Sequence, residues 1–436
     1  MKRTTTGSST TLRFAVLGVL GLAMLIPLAM VEGVSDERQR YFESTVSEVA
    51  AAWGEEQTLS GPFLVVPETR SLVVESDQGE TLSERVDAER ILLPEVLELQ
   101  VDIRHEIRKR AIYQVPVYTA IISVQGRFPT FSMPEGAEVR LDQARLAVGI
   151  SHTQAISDVT PLRFGDAAYA FESGTGQSWI GPGVQAALPG YDGESEVPFS
   201  FEITLRGTRQ FGFAAVGGRT SVQMDATWPH PGFGGRYLPE HRQIDADGFS
   251  ARWSVHELAR NLPGQFLPGQ ASPPDIAWVR LFQPVTQYTN VDRAIKYGLL
   301  FVAMTFLTFI CFELVWALQF HVVQYGVVGV GLALFYLLLL ALSEHLSFGA
   351  SYLAATLLLT TLIGAYVRGI TASGRAAAWI SVVMLTLFGT LYVLLILETY
   401  ALLLGTGVLL AGLAALMAAT RNLSRHGDAA GVDQSP

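Results

Sequence analysis

The sequence predicts an α+β membrane protein. Six transmembrane helices, one N-terminal and five C-terminal, are expected to flank a large, sandwich-like, antiparallel β-rich domain. Three observations predict it. Only 16% of the 436 residues are charged and 49% are hydrophobic, against a usual charged share of about 25%. The charge is uneven, with most of it in residues 35–296 and very little in 297–420. The hydrophobic period also changes, from unbroken apolar runs near both ends to strict alternation between Leu59 and Gln287.

Residues 1–13 are short and basic, with Lys2, Arg3 and Arg13. The apolar run 14–31 reads as a retained anchor rather than a cleaved leader, because no A-x-A site follows its small residues Ala29 and Gly33. Residues 35–54 read as a separate juxtamembrane helix. Ser35 or Asp36 can cap it, Glu37 suits its positive end, and Gly54 can stop it. Phe42, Val46, Val49 and Trp53 form its apolar stripe.

Residues 59–290 read as the β-rich domain. Leu97, Leu99, Val101 and Ile103 alternate with Glu98, Gln100, Asp102 and Arg104; Phe199–Arg206 and Ser221–Trp228 repeat the pattern. Such strands bury one face and wet the other, as in antiparallel sheets. Gly and Pro pairs punctuate them, as at Gly61-Pro62 and Gly217-Gly218. An echo at an offset near 100 residues, between Leu97–Pro129 and Phe199–Pro229, allows two related modules. Trp228-Pro229-His230-Pro231-Gly232-Phe233 reads as a rigid turn capping a sheet.

The bundle, residues 295–420, holds five apolar runs at about 296–318, 322–342, 350–367, 376–397 and 399–419. Runs of this length suit a hydrocarbon core of roughly 30 Å at about 1.5 Å per residue. With six spans, Lys2, Arg3, Arg13, Arg368, Arg375, Arg421 and Arg425 all fall on one side, while the opposite short loops carry Glu344, His345 and Glu398 without Lys or Arg. The positive-inside rule then makes both termini, including the tail 421–436, cytoplasmic and places residues 32–292 outside.

The net charge of −10 belongs to the region outside the spans and argues against nucleic acid as a partner; membrane lipids are the expected one. Cys311, the single cysteine, lies in an apolar run, so the β-rich region has no thiol for disulfides, catalysis or metal. His152, His230, His241 and His256 lack ligand-like spacing, and no phosphate-binding loop or nucleophile motif is present. The expectation is a non-enzyme without cofactor or metal. Charges within spans are functional candidates, and Glu313 is the one inside a run, near its cytoplasmic edge, where water, Arg368 or Arg375 can meet it. Gly326, Gly329, Gly331, Gly405, Gly407 and Gly412 suit close helix packing. Arg293, Lys296, Glu344, His345 and Glu398 reach one depth on the outer face. This candidate cluster is expected to dock the β-rich domain or to line the mouth of a lipid-facing site.

Several stretches together carry a resemblance: DRAIKYGLLF (Asp292–Phe301), FYLLLLALSEHLSF (Phe335–Phe348), ETYALLLG (Glu398–Gly405), IYQVPVY (Ile112–Tyr118), LSGPFLVVPE (Leu59–Glu68) and the segment Trp228–Trp253. Over about residues 35–422 the chain resembles the CreD family of bacterial inner-membrane proteins. The resemblance implies a multi-pass inner-membrane protein with its β-rich domain in the periplasm. It also implies a part in envelope integrity and in responses to envelope stress, β-lactams and colicins. Other envelope proteins or an envelope ligand would be partners. It implies no catalytic residues. The alternative reading is a transporter or flippase for an envelope lipid or precursor.

Overall fold

The computed structural model describes residues 6–75, 81–281, 287–316, 320–397 and 401–420. The chain divides into two compact units: Ser44–Pro284, rich in β-structure, and Met1–Glu43 with Val285–Pro436, built of helices.

The β-rich unit holds two mixed sheets, with ten and nine strands among the described residues. The first runs in the order Glu172–Ser173, Gly183–Ala187, Arg145–Ile150, Gln57–Glu75, Gln210–Ala214, Ile276–Leu281, Pro231–Gly235; Thr81–Leu92 and Ala137–Val139 also pair with Gln57–Glu75. The second runs His241–Asp245, Gly248–His256, Arg219–Ala226, Val96–Arg110, Tyr113–Phe128, Val197–Thr208, Leu162–Phe164, Ala167–Tyr169. One correction to the antiparallel expectation follows. Gln57–Leu59 runs parallel to Phe211–Phe213, and Arg219–Ala226 runs parallel to Val96–Ile103. Alternation reports a half-buried face and is blind to a neighbour's direction.

The alternating residues do meet in one core. Leu97, Leu99, Val101, Ile103, Phe199, Phe201, Ile203, Leu205, Val222 and Met224 are all buried, together with Phe63, Phe211 and Trp253 from other strands. The sequence echo does not divide the region into two bodies. Strands from both copies lie side by side in the second sheet, Arg219–Ala226 beside Val96–Arg110 and Val197–Thr208 beside Tyr113–Phe128. The expected turn is shorter than Trp228–Phe233: residues 227–230 carry the chain from the second sheet to the first, and Pro231–Phe233 already pair with Val279–Leu281 as a strand. Trp228 is 7% exposed, and its indole N–H donates to the His230 carbonyl at 3.1 Å.

The helical unit contains α1 (Thr6–Ala23) and the start of α2 (Leu25–Trp53). After the four-residue α3 (Glu257–Arg260) of the β-rich unit come α4 (Gln287–Lys296), α5 (Gly298–Trp316), α6 (Val322–Ser343), α7 (Phe348–Thr371), α8 (Gly374–Ile396) and α9 (Ala401–Thr420). Four helical segments, Ala15–Trp53, α6, α7 and α8, are long and apolar enough to cross a membrane. A fifth results if Thr289–Lys296 and Gly298–Glu313, bent by 45°, count as one span; Leu402–Ala418 is apolar but shorter.

Two differences from the sequence reading have local causes. The helix expected to start at Ser35 starts at Leu25, because nothing between Val31 and Asp36 breaks it. Gly33 alone costs only about 1 kcal/mol, and Ser35 is 2% exposed within the helix rather than a cap. The interruption lies earlier, at Met24, just before Pro27, which has no N–H to give the preceding turn. The second difference is the bend at Tyr297. It places Gly298 against Leu28, where an added Cβ would stand 2.9 Å from Leu28 Cδ2.

Glycines pack unequally among the helices. An added Cβ at Gly329 would meet Met24 Sδ at 2.6 Å, and at Gly412 Met304 Cε at 2.6 Å. Gly331 is close to Leu359 and Gly326 looser against Leu20, whereas Gly405 and Gly407 have nothing within 4 Å.

Candidate functional site

Among the described residues of the helical unit, α2 and α4 supply most of the charge. On α4, Lys296 Nζ lies 2.7 Å from Asp292 Oδ2, one helical turn back. The spacing of four residues puts both side chains on one face. The ammonium also feels the carboxylates of Glu32 and Asp36 on α2. Arg293 is half-buried on the same helix. At the end of α6, Glu344 is 12% exposed by its side chain and stands 3.5 Å from Arg38 Nε of α2. His345 follows it and is exposed. Glu398 lies outside the described residues.

The structure therefore splits the expected row of groups. Lys296 is engaged within its own helix, and Glu344 is held by an arginine that the sequence reading left out. Arg38 was overlooked because residues 35–54 read as a separate helix. Once α2 runs on unbroken, Arg38 lies seven residues past Val31, roughly 10 Å at about 1.5 Å per residue, which is within side-chain reach of a span end. Arrangements of this kind hold helix ends together. An exposed ion pair is worth only about 0–1 kcal/mol, but Glu344 is nearly dry, so losing Arg38 would strand a poorly solvated carboxylate.

Glu313 meets neither Arg368 nor Arg375 in its described contacts. The Tyr325 hydroxyl, on α6, donates to Glu313 Oε2 at 3.1 Å. Rings surround that tyrosine, with Phe306 at 5.6 Å, Phe309 at 5.9 Å and Phe320 at 6.2 Å between centroids. A tyrosine reaches this carboxylate without adding charge, and the pair links α5 to α6. His321 caps α6 through Nδ1, which accepts from the Val323 N–H at 3.3 Å.

The β-rich unit has its own polar constellation, which sequence reasoning missed. Glu68 is 0% exposed and Arg90 7%. Arg90 grips the carboxylate with two bonds, Nε to Oε2 at 2.6 Å and Nη2 to Oε1 at 2.9 Å. Arg70 Nε approaches Oε1 at 2.7 Å, an ionic contact outside hydrogen-bonding angles. The available signal was phase. Glu68 follows Leu64 and Val66 on one strand face, and Arg90 pairs opposite Val66. At the end of α2, the Trp53 ring is approached by the guanidinium groups of Arg108 at 4.2 Å and Arg206 at 4.8 Å, and its indole N–H donates to the Tyr118 carbonyl. Arg110 pairs with Glu48 at 2.6 Å beside it. Among the described residues, no group of three or more His, Cys, Asp or Glu side chains is placed to hold a metal ion.

Comparison with known proteins bears on these helices. The family model described as inner membrane protein CreD matches residues 9–426. The inner membrane protein CreD of Escherichia coli (strain K12) is 30% identical over 412 residues, covering 92% of this chain and 90% of that protein. Among solved structures, a mutant M1 zinc metallopeptidase from Deinococcus radiodurans aligns at a TM-score of 0.22 and 6% identity, over 43% of this chain and 42% of its own. Native yeast LTA4 hydrolase aligns at 0.21 and 7%, over 49% and 34%. At scores this low neither likeness bears on fold or chemistry.

Proposed function

The chain belongs to the CreD family of inner membrane proteins, and from that premise we propose that it is a non-enzymatic, multi-pass scaffold supporting the integrity of the cell envelope. In this reading six helices cross the inner membrane, both termini are cytoplasmic and the β-rich unit stands in the periplasm. The observation that carries it is the pairing at the helix ends. Arg38 with Glu344 joins α2 to the end of α6, as expected of a clamp, and Lys296 is taken up by Asp292 within α4, whereas a path for ions or lipid head groups needs polar groups free to exchange partners. Such a clamp supports an envelope-stress role better than the transporter or flippase alternative. Membrane lipids, and other envelope proteins or an envelope ligand, are the partners this reading implies.

The test is genetic. Cells lacking the chain should be more sensitive to detergent, and the wild-type chain should restore them. Arg38→Gln and Glu344→Gln should each restore them incompletely at normal abundance, with the double variant no worse than either single one. Unchanged detergent survival without the chain would overturn the proposal, and full rescue by both variants would remove the clamp from it.

A further inference from the structure

Where α2 ends, Gly54 adopts φ 148° and presses against the Arg206 carbonyl, which a Cβ would meet at 2.5 Å. The next residues, Glu55 and Glu56, wall a cavity of about 300 Å³. Ser47 of α2, His152, Thr208 and Arg209 complete its polar lining. The volume equals roughly ten waters at about 30 Å³ each, enough for a molecule the size of an amino acid or dipeptide. Both signs of charge are present. Its lining residues include two glutamates and one arginine, all exposed, and His152 Nε2 lies 3.5 Å from Glu55 Oε2.

Arg209 supplies an independent observation. It is the single residue between strand Val197–Thr208 of one sheet and strand Gln210–Ala214 of the other, and its backbone is left-handed, φ 59°. Glycine or asparagine fills that region with less strain. The turn uses only Arg209 main chain, whose carbonyl accepts from the Leu281 N–H at 2.7 Å. Among the described residues no hydrogen bond or ion pair holds its guanidinium, and its neighbour Gly207 is fixed as glycine by the Tyr118 ring and hydroxyl, with the oxygen 2.3 Å from a Cβ position. A strained backbone here carries an exposed arginine on the wall of a cavity that Glu55 and Glu56 also line. Strain of this kind gathers at ligand sites.

We propose that this cavity binds a small zwitterion with a primary ammonium and an acid group. The ammonium sits at Glu55 and Glu56, the acid at Arg209, and Ser47, Thr208 and His152 supply hydrogen bonds. That chemistry has two sources, a free amino acid or dipeptide and the phosphoethanolamine head of a lipid. The proposal stands apart from the scaffold reading and does not depend on it.

The test is calorimetric titration of the full-length protein in detergent micelles with L-alanyl-L-alanine and with O-phosphoethanolamine. At least one should bind, and its N-acetylated form should bind at least tenfold more weakly. Binding of the peptide alone assigns a soluble source, and binding of O-phosphoethanolamine alone assigns the head group. Arg209→Gly should keep or raise the thermal midpoint, since glycine suits the turn, while weakening binding at least tenfold; Glu55→Gln should weaken it likewise. No binding of either probe, equal binding of the N-acetylated form, or Arg209→Gly within twofold of wild type would overturn the proposal.

Discussion

The two units of this chain solve opposite problems. In the β-rich unit Phe63, Phe128, Phe211, Phe213, Phe266 and Trp253 are fully buried. Its charges face water or are buried with partners, Glu68 gripped by Arg90 and Arg260 held by the Val216 and Leu262 carbonyls. In the helical unit large apolar side chains lie on the outside, with Leu402 85% and Leu403 73% exposed. Burial from water orders the first unit. In lipid the helices gain nothing by burying leucine, so close contacts at small residues and a few polar links must hold them. The lesson is that one residue type has different weight in the two halves. A carboxylate in the sheets needs an arginine fork, while Glu313 among the helices is met by a tyrosine.

The largest expected effect tests the water-driven core. Trp253 is 1% exposed, packs edge-on to Phe213 at 5.3 Å, and donates to the Tyr237 carbonyl. Trp253→Ala should cost about 3–5 kcal/mol, read as lost protease resistance and abundance; wild-type behaviour would remove Trp253 from the core. Glu68→Leu should cost a similar amount, about 3–5 kcal/mol, because it strands Arg90 without a counter-charge. Adding Arg90→Met should recover most of that loss in chemical unfolding. If the double variant is no better than Glu68→Leu, the pair is not the cause.

Glycines sharpen the contrast. An added Cβ at Gly126 would stand 2.1 Å from the Val96 carbonyl oxygen, which is backbone fixed by two neighbouring strands. Gly126→Ala should therefore cost about 1–3 kcal/mol. Gly329→Ala meets the flexible end of Met24 and should cost less than about 1 kcal/mol in the same assay. Equal losses would contradict the distinction.

The smallest effect is set by pH. Burial disfavours the charged form of Glu89, but hydrogen bonds from Arg145 and Gln177, with the Arg145 charge, outweigh it and hold the carboxyl below its ordinary value near 4.5. A depressed folded value means stabilisation that is fully present above the unfolded value and is lost as pH falls through the lower, folded one. Glu89→Gln should flatten the acid limb of the stability profile below about pH 4.5 and leave its neutral slope unchanged. An unaltered acid limb would show that Arg145 does not hold the carboxylate.

Much of the fold was readable because its signals were local. Alternation at Leu97–Ile103 and Phe199–Leu205 marked the core face, and unbroken apolar runs marked α6, α7 and α8. Pairing direction was not readable, since Val96–Arg110 finds its parallel partner more than a hundred residues away. Of the candidate cluster, the positions of Glu344 and Lys296 at helix ends were readable from the lengths of the apolar runs. Their partners were not, because Arg38 depends on α2 continuing through Gly33. Arg209 gave no sequence signal, since an arginine between strands looks like any exposed cation until its φ is known.

In the topology proposed above, the β-rich unit and the α7–α8 turn lie on opposite sides of the inner membrane. Single cysteines at Gly190 and Gly374, in a Cys311→Ala background, test it with a membrane-impermeant maleimide on intact cells whose outer membrane has been made permeable. Gly190→Cys should label at once, and Gly374→Cys only after the inner membrane is disrupted. Immediate labelling at Gly374→Cys, or protection at Gly190→Cys until disruption, would contradict the account.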